Sequence, residues 1–123
     1  MAFTVDDNGN ITLVQGDSGE LMVNGLPTDR NYKLFFAIQD ENRKPIGSEI
    51  ELDTNKQSAL LISIIGSLTD LLTVKLGDET ATYYYGIKLC YQDDFLEDTL
   101  LIGGSKMGNL NTITVYPKKV EGI

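Results

Sequence analysis

Apolar and polar side chains alternate most regularly between residues 83 and 91. Every second position is large and mostly apolar: Tyr83, Tyr85, Ile87, Leu89 and Tyr91. This two-residue period is typical of a strand with one face on a core. Residues 92–94 have turn chemistry, and polar residues interrupt the apolar ones in residues 95–102, which indicates a shorter, more exposed partner strand. We therefore predict a hairpin here and expect the rest of the chain to supply a second sheet against it.

The same pattern predicts shorter strands earlier in the chain. Residues 11–15 and 20–24 alternate and are separated by a Gly-Asp-Ser-Gly turn signal. Residues 32–39 form the clearest strand of the first half. Residues 40–47 are predicted as a polar loop whose proline and glycine favour a turn, and residues 48–52 as a weak edge strand with one charged face.

Residues 58–65 differ because both faces of the predicted strand carry apolar side chains. Leu61 and Ile65 lie on the face opposite the one expected to meet the core, so this strand needs cover on both sides. Leucines at helical offsets in residues 66–73 predict one short helical turn that crosses between the sheets. A last strand is predicted for residues 111–116, where Pro117 ends it.

Together these elements predict an all-β fold. We expect a two-sheet antiparallel sandwich of seven to eight strands with one short helical turn, preceded by a lead-in over residues 1–10. At 123 residues the chain is expected to form a single domain, residues 1–123, with its core in residues 11–117.

Charge and composition exclude several classes of function. Eighteen acidic and ten basic residues give a net charge of −8, which would repel a phosphate backbone, so we expect no binding to nucleic acid. No apolar run reaches the roughly 18 residues of a membrane span, and residues 1–20 lack the pattern of a secretory signal. Cys90 stands alone in a predicted strand, which favours a small buried hydrophobe over a nucleophile.

The sequence predicts no enzyme and no cofactor. Because the chain has no histidine, Ser-His-Asp catalysis, Cys-His catalysis and histidine metal sites are excluded. The run Gly-Gly-Ser-Lys at residues 103–106 lacks the spacing of a phosphate-binding loop.

Two groups of polar residues have oxygen-bearing side chains close enough in sequence to suggest a cation site. The first has offsets reminiscent of a calcium loop but carries Ile11 where such loops need glycine, so turn formation is the better interpretation. Its members are Asp6, Asn8, Asn10 and Asp17. The second lies about the predicted hairpin turn, where a solvated tip, a bound cation and a carboxylate pair all stay open. Its members are Asp93, Asp94, Glu97 and Asp98.

Apolar residues on the outer faces of predicted strands are the candidate contact residues. They are Phe35, Leu61, Ile65 and Tyr84. Exposed apolar area of this kind marks a partner surface, unless a loop or the helical turn covers it. In contrast, Tyr83, Tyr85 and Tyr91 are expected in the core or at the sheet end rather than in a sugar-stacking platform.

Residues 78–85, Asp-Glu-Thr-Ala-Thr-Tyr-Tyr-Tyr, resemble the start of strand F in immunoglobulin-type domains. The resemblance implies that Tyr83 is the tyrosine-corner residue, whose hydroxyl bonds back to upstream backbone. Tyr85 stands at the usual cysteine position, and the chain has neither tryptophan nor a second cysteine, so antibody-like function is not implied.

A wider resemblance follows the order of four motifs, at residues 11–18, 69–72, 83–89 and 98–103. In this order they resemble the immunoglobulin-like modules of tailed-phage virions, particularly the N-terminal domain of baseplate upper proteins from phages of Gram-positive hosts. Gly86 stands where those modules usually have an acidic residue.

The resemblance implies a structural protein of a phage or prophage virion, in the tail or baseplate. Such a protein is made in the bacterial cytoplasm and binds other virion proteins or copies of itself, with no nucleic acid, membrane or cofactor as partner. A carbohydrate-binding or cell-surface attachment module is the alternative, and predicts exposed tyrosines in one plane or a bound calcium. An enzyme ranks third and would need two carboxylates, such as Asp94 and Glu97, in one cleft.

Overall fold

A computed structural model describes residues 3–93, 96–103 and 111–118 of the chain. Within these residues the fold is almost entirely β, as the alternation predicts. The elements are β1 (Thr4–Val5), β2 (Ile11–Val14), β3 (Gly19–Asn24), β4 (Lys33–Gln39), β5 (Pro45–Asp53), β6 (Ala59–Ile64), α1 (Gly66–Thr69), β7 (Ala81–Asp93), β8 (Leu96–Gly103) and β9 (Asn111–Tyr116).

The described strands form two sheets. The larger has the order β1-β2-β9-β7-β4-β5, with β8 also paired to β7, and the smaller consists of β3 and β6. Two strands pair along one edge of β7: β9 pairs with residues 81–85, and β8 pairs with residues 87–93. Its other edge pairs with β4. The long strand predicted around the three tyrosines is therefore the centre of the larger sheet.

The core lies between the two sheets. The larger sheet supplies the alternating residues of β4 and β7, and the smaller supplies Leu21, Ile62 and Ile64 to the same cluster. Phe36 is fully buried, and its ring lies 5.2 Å from that of Tyr85, centroid to centroid. Removal of this apolar surface from water is the main force that holds the sheets together. Cys90 is buried and has a free thiol, as expected of a small hydrophobe.

One strand pair differs from the predicted antiparallel arrangement. β2 runs parallel to β9, with Ile11 opposite Ile113 and Leu13 opposite Val115, so the larger sheet is mixed. The prediction of a purely antiparallel sandwich is wrong at this pair. Alternation shows which face of a strand meets the core, but it says nothing about the direction of the neighbouring strand.

The predicted loop over residues 40–47 is wrong in its second half, where β5 has already begun. Pro45 is the first residue of an edge strand, a position that needs no donated hydrogen bond. Gly47 follows with φ of +70°, near the register shift between β4 and β5. The turn itself is shorter and is held by Asp40, whose Oδ1 accepts from the backbone N–H groups of Asn42 and Lys44.

Two further boundaries differ from the predicted ones. β7 continues through Gln92 and Asp93, which pair with Glu97 and Leu96, so the predicted turn at residues 92–94 is wrong for these two residues. Asp94 lies outside the described residues. The predicted lead-in contains β1, whose two residues pair with the start of β2.

Candidate interaction surface

Three apolar side chains are exposed on the outer side of the two-stranded sheet. Met22 of β3 lies directly opposite Leu61 of β6, and the two side chains are 52% and 45% exposed. Directly opposed residues of an antiparallel pair have Cβ atoms about 5 Å apart, so these two side chains are neighbours. Ile65 follows β6 on the same side, four positions beyond Leu61 with exposed Ser63 between them, and is 59% exposed. We call Met22, Leu61 and Ile65 the β3–β6 patch.

The backbone around α1 explains why Ile65 is left uncovered. Ile65 is the N-cap residue of α1 and keeps an extended conformation, with φ of −82° and ψ of 154°, so the alternation of β6 continues through it. The side chain of Thr69 holds α1 against the turn between β2 and β3, because its Oγ1 donates to the carbonyl oxygen of Asp17 at 2.7 Å. Gly66 lies so close to Gly16 that a Cβ would approach the Gly16 carbonyl oxygen to 2.5 Å. The helical turn therefore packs beside the β2–β3 turn and leaves Leu61 and Ile65 exposed.

Phe35 and Tyr84 lie on the outer side of the larger sheet and are half-buried. Phe35 is opposite Lys88, whose ammonium is 5.9 Å from the centroid of the Phe35 ring. Tyr84 is opposite Gln39, four positions further along β4, which is about 13 Å at the usual rise per residue. The two aromatic residues are separate points on this face.

The four predicted contact residues therefore do not form one surface. Leu61 and Ile65 share the outer side of the smaller sheet, and Phe35 and Tyr84 share the outer side of the larger one, with the core between them. Met22 was missed by the sequence prediction. Its position between Leu21 and Val23 indicates an outward side chain, but only the register shows that it lies opposite Leu61.

Charge is distributed unequally between these faces. β6 has no charged residue, and Glu20 of β3 is the exposed acidic residue on the same outer side, opposite Ser63. The face of the larger sheet carries Lys33, whose Nζ lies 3.1 Å from Glu51 and 3.2 Å from Asp53. The hydrogen bonds that Lys33 Nζ donates to Glu51 and then to Asp53 raise the pKa of Lys33, which stays protonated at neutral pH. The larger sheet therefore presents a charged outer face beside Phe35.

Tyr83 makes the bond expected of it, and Tyr85 makes a second bond of the same kind. The Oη of Tyr83 donates to the carbonyl oxygen of Thr73 at 2.6 Å. The Oη of Tyr85 donates to the carbonyl oxygen of Gly9 at 2.6 Å. Burial, and to a lesser extent the charge of Asp6, raises the pKa of Tyr85 to about 12. Both tyrosines point into the core and fasten connecting segments to β7, so neither is available to stack on a sugar.

Tyr91 lies at the end of β7 in a cluster of mutual contacts. The guanidinium of Arg30 stands 4.3 Å above its ring, and the ring of Tyr32 meets it edge-on at 6.0 Å. Tyr32 Oη also donates to Asp29 at 2.8 Å, and this bond lowers the pKa of Asp29. One face of Tyr91 is therefore covered by a side chain of the same molecule. The three tyrosines weighed as a sugar platform do not form one.

The first polar group lies in two turns, as interpreted from the sequence: residues 6–10 form one, and Asp17 lies in the turn between β2 and β3, where its N–H donates to the carbonyl oxygen of Val14. Asp6 Oδ1 accepts from the backbone N–H groups of Asn8 and Asn10, both at 2.9 Å. Asn10 Oδ1 in turn accepts from the N–H of Thr112 at 3.0 Å, which joins the turn to β9. The acidic side chains about the β7–β8 turn lie outside the described part of the structure. Among the residues described, no three acidic or cysteine side chains come together as metal ligands.

No family model matches the chain, and no curated protein matches it either. In the described part of the chain, no helix is long and apolar enough to cross a bilayer.

Proposed function

We propose that this chain is a structural module of a phage or prophage particle, in the tail or baseplate, and that it acts through protein–protein contacts. The observation that carries the proposal is the β3–β6 patch. In a chain with a net charge of −8, the exposed apolar side chains of Met22 and Leu61 lie side by side on the outer side of a sheet that bears no charge on β6, and exposed Ile65 follows further along the same side. Exposed apolar area of this kind is typical of surfaces that bind another protein.

The assignment to a phage particle rests on the order of the sequence motifs. An immunoglobulin-like module is supported by the order β9-β7-β4, which matches strands G, F and C of such domains, and by the facing pair β3 and β6, which matches strands B and E. The bond from Tyr83 to the backbone of Thr73 supports it further, since it corresponds to the tyrosine corner.

The patch supplies a contact through the hydrophobic effect. Complete burial of a Leu, Ile or Met side chain contributes about 1.5–3 kcal/mol relative to full exposure. Leu61, Met22 and Ile65 are each about half exposed, so a partner that covers all three would gain on the order of 3 kcal/mol from them. This is enough to orient a partner within an assembly where other contacts contribute. Phe35 and Tyr84 offer smaller, half-buried contact points on the opposite side.

The test is whether the chain is part of a particle. An antibody to the chain is applied to particles purified after prophage induction in the source bacterium, with immunogold microscopy to locate the label. We expect the chain in the particle fraction, with label at the tail or its tip. A chain found only in the soluble fraction, with particles that lack it, would overturn the proposal. Glycan-array binding together with that result would favour the cell-surface attachment module instead.

Substitutions test whether the β3–β6 patch is needed for the chain to be incorporated into particles. Leu61→Lys places a charge on the exposed side of β6 without disturbing the core. Leu76→Lys is the matched control, because Leu76 is fully exposed and lies outside the described strands. We expect Leu61→Lys to be depleted from particles and Leu76→Lys to be incorporated normally. Equal incorporation of both variants would show that the patch makes no contact in the particle.

A further inference from the structure

β6 has an open edge. Within the described residues it pairs only with β3, so the backbone N–H and C=O groups of its other edge have no partner strand. A two-stranded sheet is the smallest that can exist and is marginal by itself. The inner residues Ile62 and Ile64 are fully buried against the larger sheet, which holds β6 in place as a template for another strand.

The other open edges of the described strands carry features that discourage pairing. β5 begins with Pro45, has a glycine at positive φ, and contains three acidic residues. β1 has only two residues, and β3 contains the exposed Glu20. Proline, charge, irregular backbone and short length are the usual means by which edge strands avoid association. β6 has six residues, Ala-Leu-Leu-Ile-Ser-Ile, and none of these features.

We propose that the open edge of β6 pairs with β6 of a second copy of this chain. The pairing is antiparallel about a two-fold axis through Leu61, so the two small sheets join into one sheet of order β3-β6-β6-β3. Directly opposed residues lie on the same face of a sheet, so this register places Leu61 opposite the Leu61 of the second copy. The two patches then merge into a single apolar row in which Met22 and Leu61 of one copy continue into Leu61 and Met22 of the other.

If two copies of this chain associate, their charge favours contact at the β6 edge over contact at other parts of the surface. A net charge of −8 opposes close approach of two chains at most surfaces. At β6 neither copy brings a charge from this strand, and the acidic residue on the same outer side, Glu20, lies on β3 opposite Ser63, one strand away from the proposed seam. A two-fold pairing also uses the same surface on both copies and closes without forming a filament. The inference deepens the proposed function by naming one partner, and it rests on the protein–protein part of that proposal.

Sedimentation velocity on the purified chain tests the dimer apart from any particle. We expect the protein to dimerise as its concentration is raised, and to dimerise more strongly at high salt, because salt screens the repulsion between acidic chains. Leu61→Lys should weaken the dimer roughly tenfold or more, whereas Leu76→Lys should leave it unchanged. Circular dichroism confirms that both variants fold. A wild-type chain that stays monomeric at every concentration, or equal effects of the two substitutions, would overturn the pairing.

Cross-linking tests the register. A cysteine at Leu61 would lie opposite its own copy, within the Cα separation that a disulfide needs. A cysteine at Ser63 is the control, because it is on the same face but would lie opposite Ala59 of the second copy. The native Cys90 is buried and does not compete. We expect oxidation to join L61C chains and to leave S63C chains unjoined. Failure of L61C to cross-link, or faster cross-linking of S63C, would overturn the proposed register.

If the proposed function is wrong but the dimer is right, the chain will dimerise through β6 and be absent from particles. If only the dimer is wrong, the chain will be present in particles, will sediment as a monomer, and will show no L61C cross-link. The two proposals can therefore fail separately.

Discussion

Replacement of Tyr83 by Phe removes one hydroxyl from the point where the α1 segment joins β7. Tyr83 is 9% exposed, and its Oη donates to the carbonyl oxygen of Thr73 at 2.6 Å. The substitution keeps the ring and its packing, so its effect on stability comes from the hydrogen bond alone. It tests whether this bond fastens the segment between α1 and β7; a bond from Tyr83 back to upstream backbone is what the immunoglobulin resemblance implies.

The expected loss follows from the environment of the two groups. A neutral hydrogen bond contributes about 1 kcal/mol net, and a carbonyl left without a donor costs more when it is kept from water. Thr73 is exposed, so water can reach its carbonyl oxygen and the loss stays near about 1–1.5 kcal/mol. For 123 residues, the usual entropy of unfolding converts each kcal/mol into a fall in Tm of about 4 °C.

Tyr84→Phe is the matched control for this substitution. Tyr84 is the next residue and undergoes the same chemical change, but its side chain is half-buried on the outer face and no described hydrogen bond uses its hydroxyl. Urea unfolding followed by circular dichroism gives the free energy of unfolding of both variants. We expect Tyr83→Phe to shift the midpoint with an unchanged m-value, and Tyr84→Phe to change stability by less than about 0.5 kcal/mol. Equal stabilities of the two variants would refute the role assigned to the Tyr83 bond.

Three other substitutions or conditions test the fold. The pKa of the Tyr85 hydroxyl is raised to about 12, so as pH rises above about 10 the unfolded chain loses this proton before the folded chain does. The free energy of unfolding should therefore fall by about 1–2 kcal/mol between pH 10 and about 12, after allowance for solvent screening. Tyr85→Phe should lose that part of the pH dependence, as measured by urea unfolding at each pH. Thr54→Val should cost about 1–3 kcal/mol by the same method, because the buried Oγ1 of Thr54 accepts from the N–H of Tyr32 at 2.9 Å; full stability would contradict this. Gly47→Ala should lower Tm, since φ is +70° and a Cβ would stand 2.5 Å from Leu68 Cδ1; an unchanged Tm would contradict the backbone described at this position.

Much of the fold is predictable because one face of most strands is buried. Alternation identifies β4 and β7 and gives β9 its observed bounds, since a strand between core and solvent must repeat every two residues. It identifies residues 48–52 of the edge strand β5 but misses the start of that strand, where Pro45 and Gly47 have the composition of a turn and an edge position tolerates both. The parallel pairing of β2 with β9 could not be predicted from alternation either, because the direction of a neighbouring strand depends on contacts between residues far apart in the chain.

The candidate surface was predictable only in part. The apolar outer residues of β6 are visible in the sequence, because Leu61 and Ile65 break the alternation. The sequence could not show that Leu61 and Ile65 lie on a different surface from Phe35 and Tyr84. That separation arises because β6 belongs to the smaller sheet, whereas β4 and β7 belong to the larger one. Met22 becomes part of the surface only through its register with Leu61.

The central claim is that the outer side and open edge of the β3–β6 sheet form a contact between two copies of this chain. Amide hydrogen exchange measured at low and at high protein concentration tests it most directly, because unpaired amides on an edge strand exchange quickly and pairing protects them. The account predicts that amides of β6 exchange more slowly at high concentration, while those of the charged edge strand β5 do not change. Exchange in β6 that is independent of concentration would contradict it.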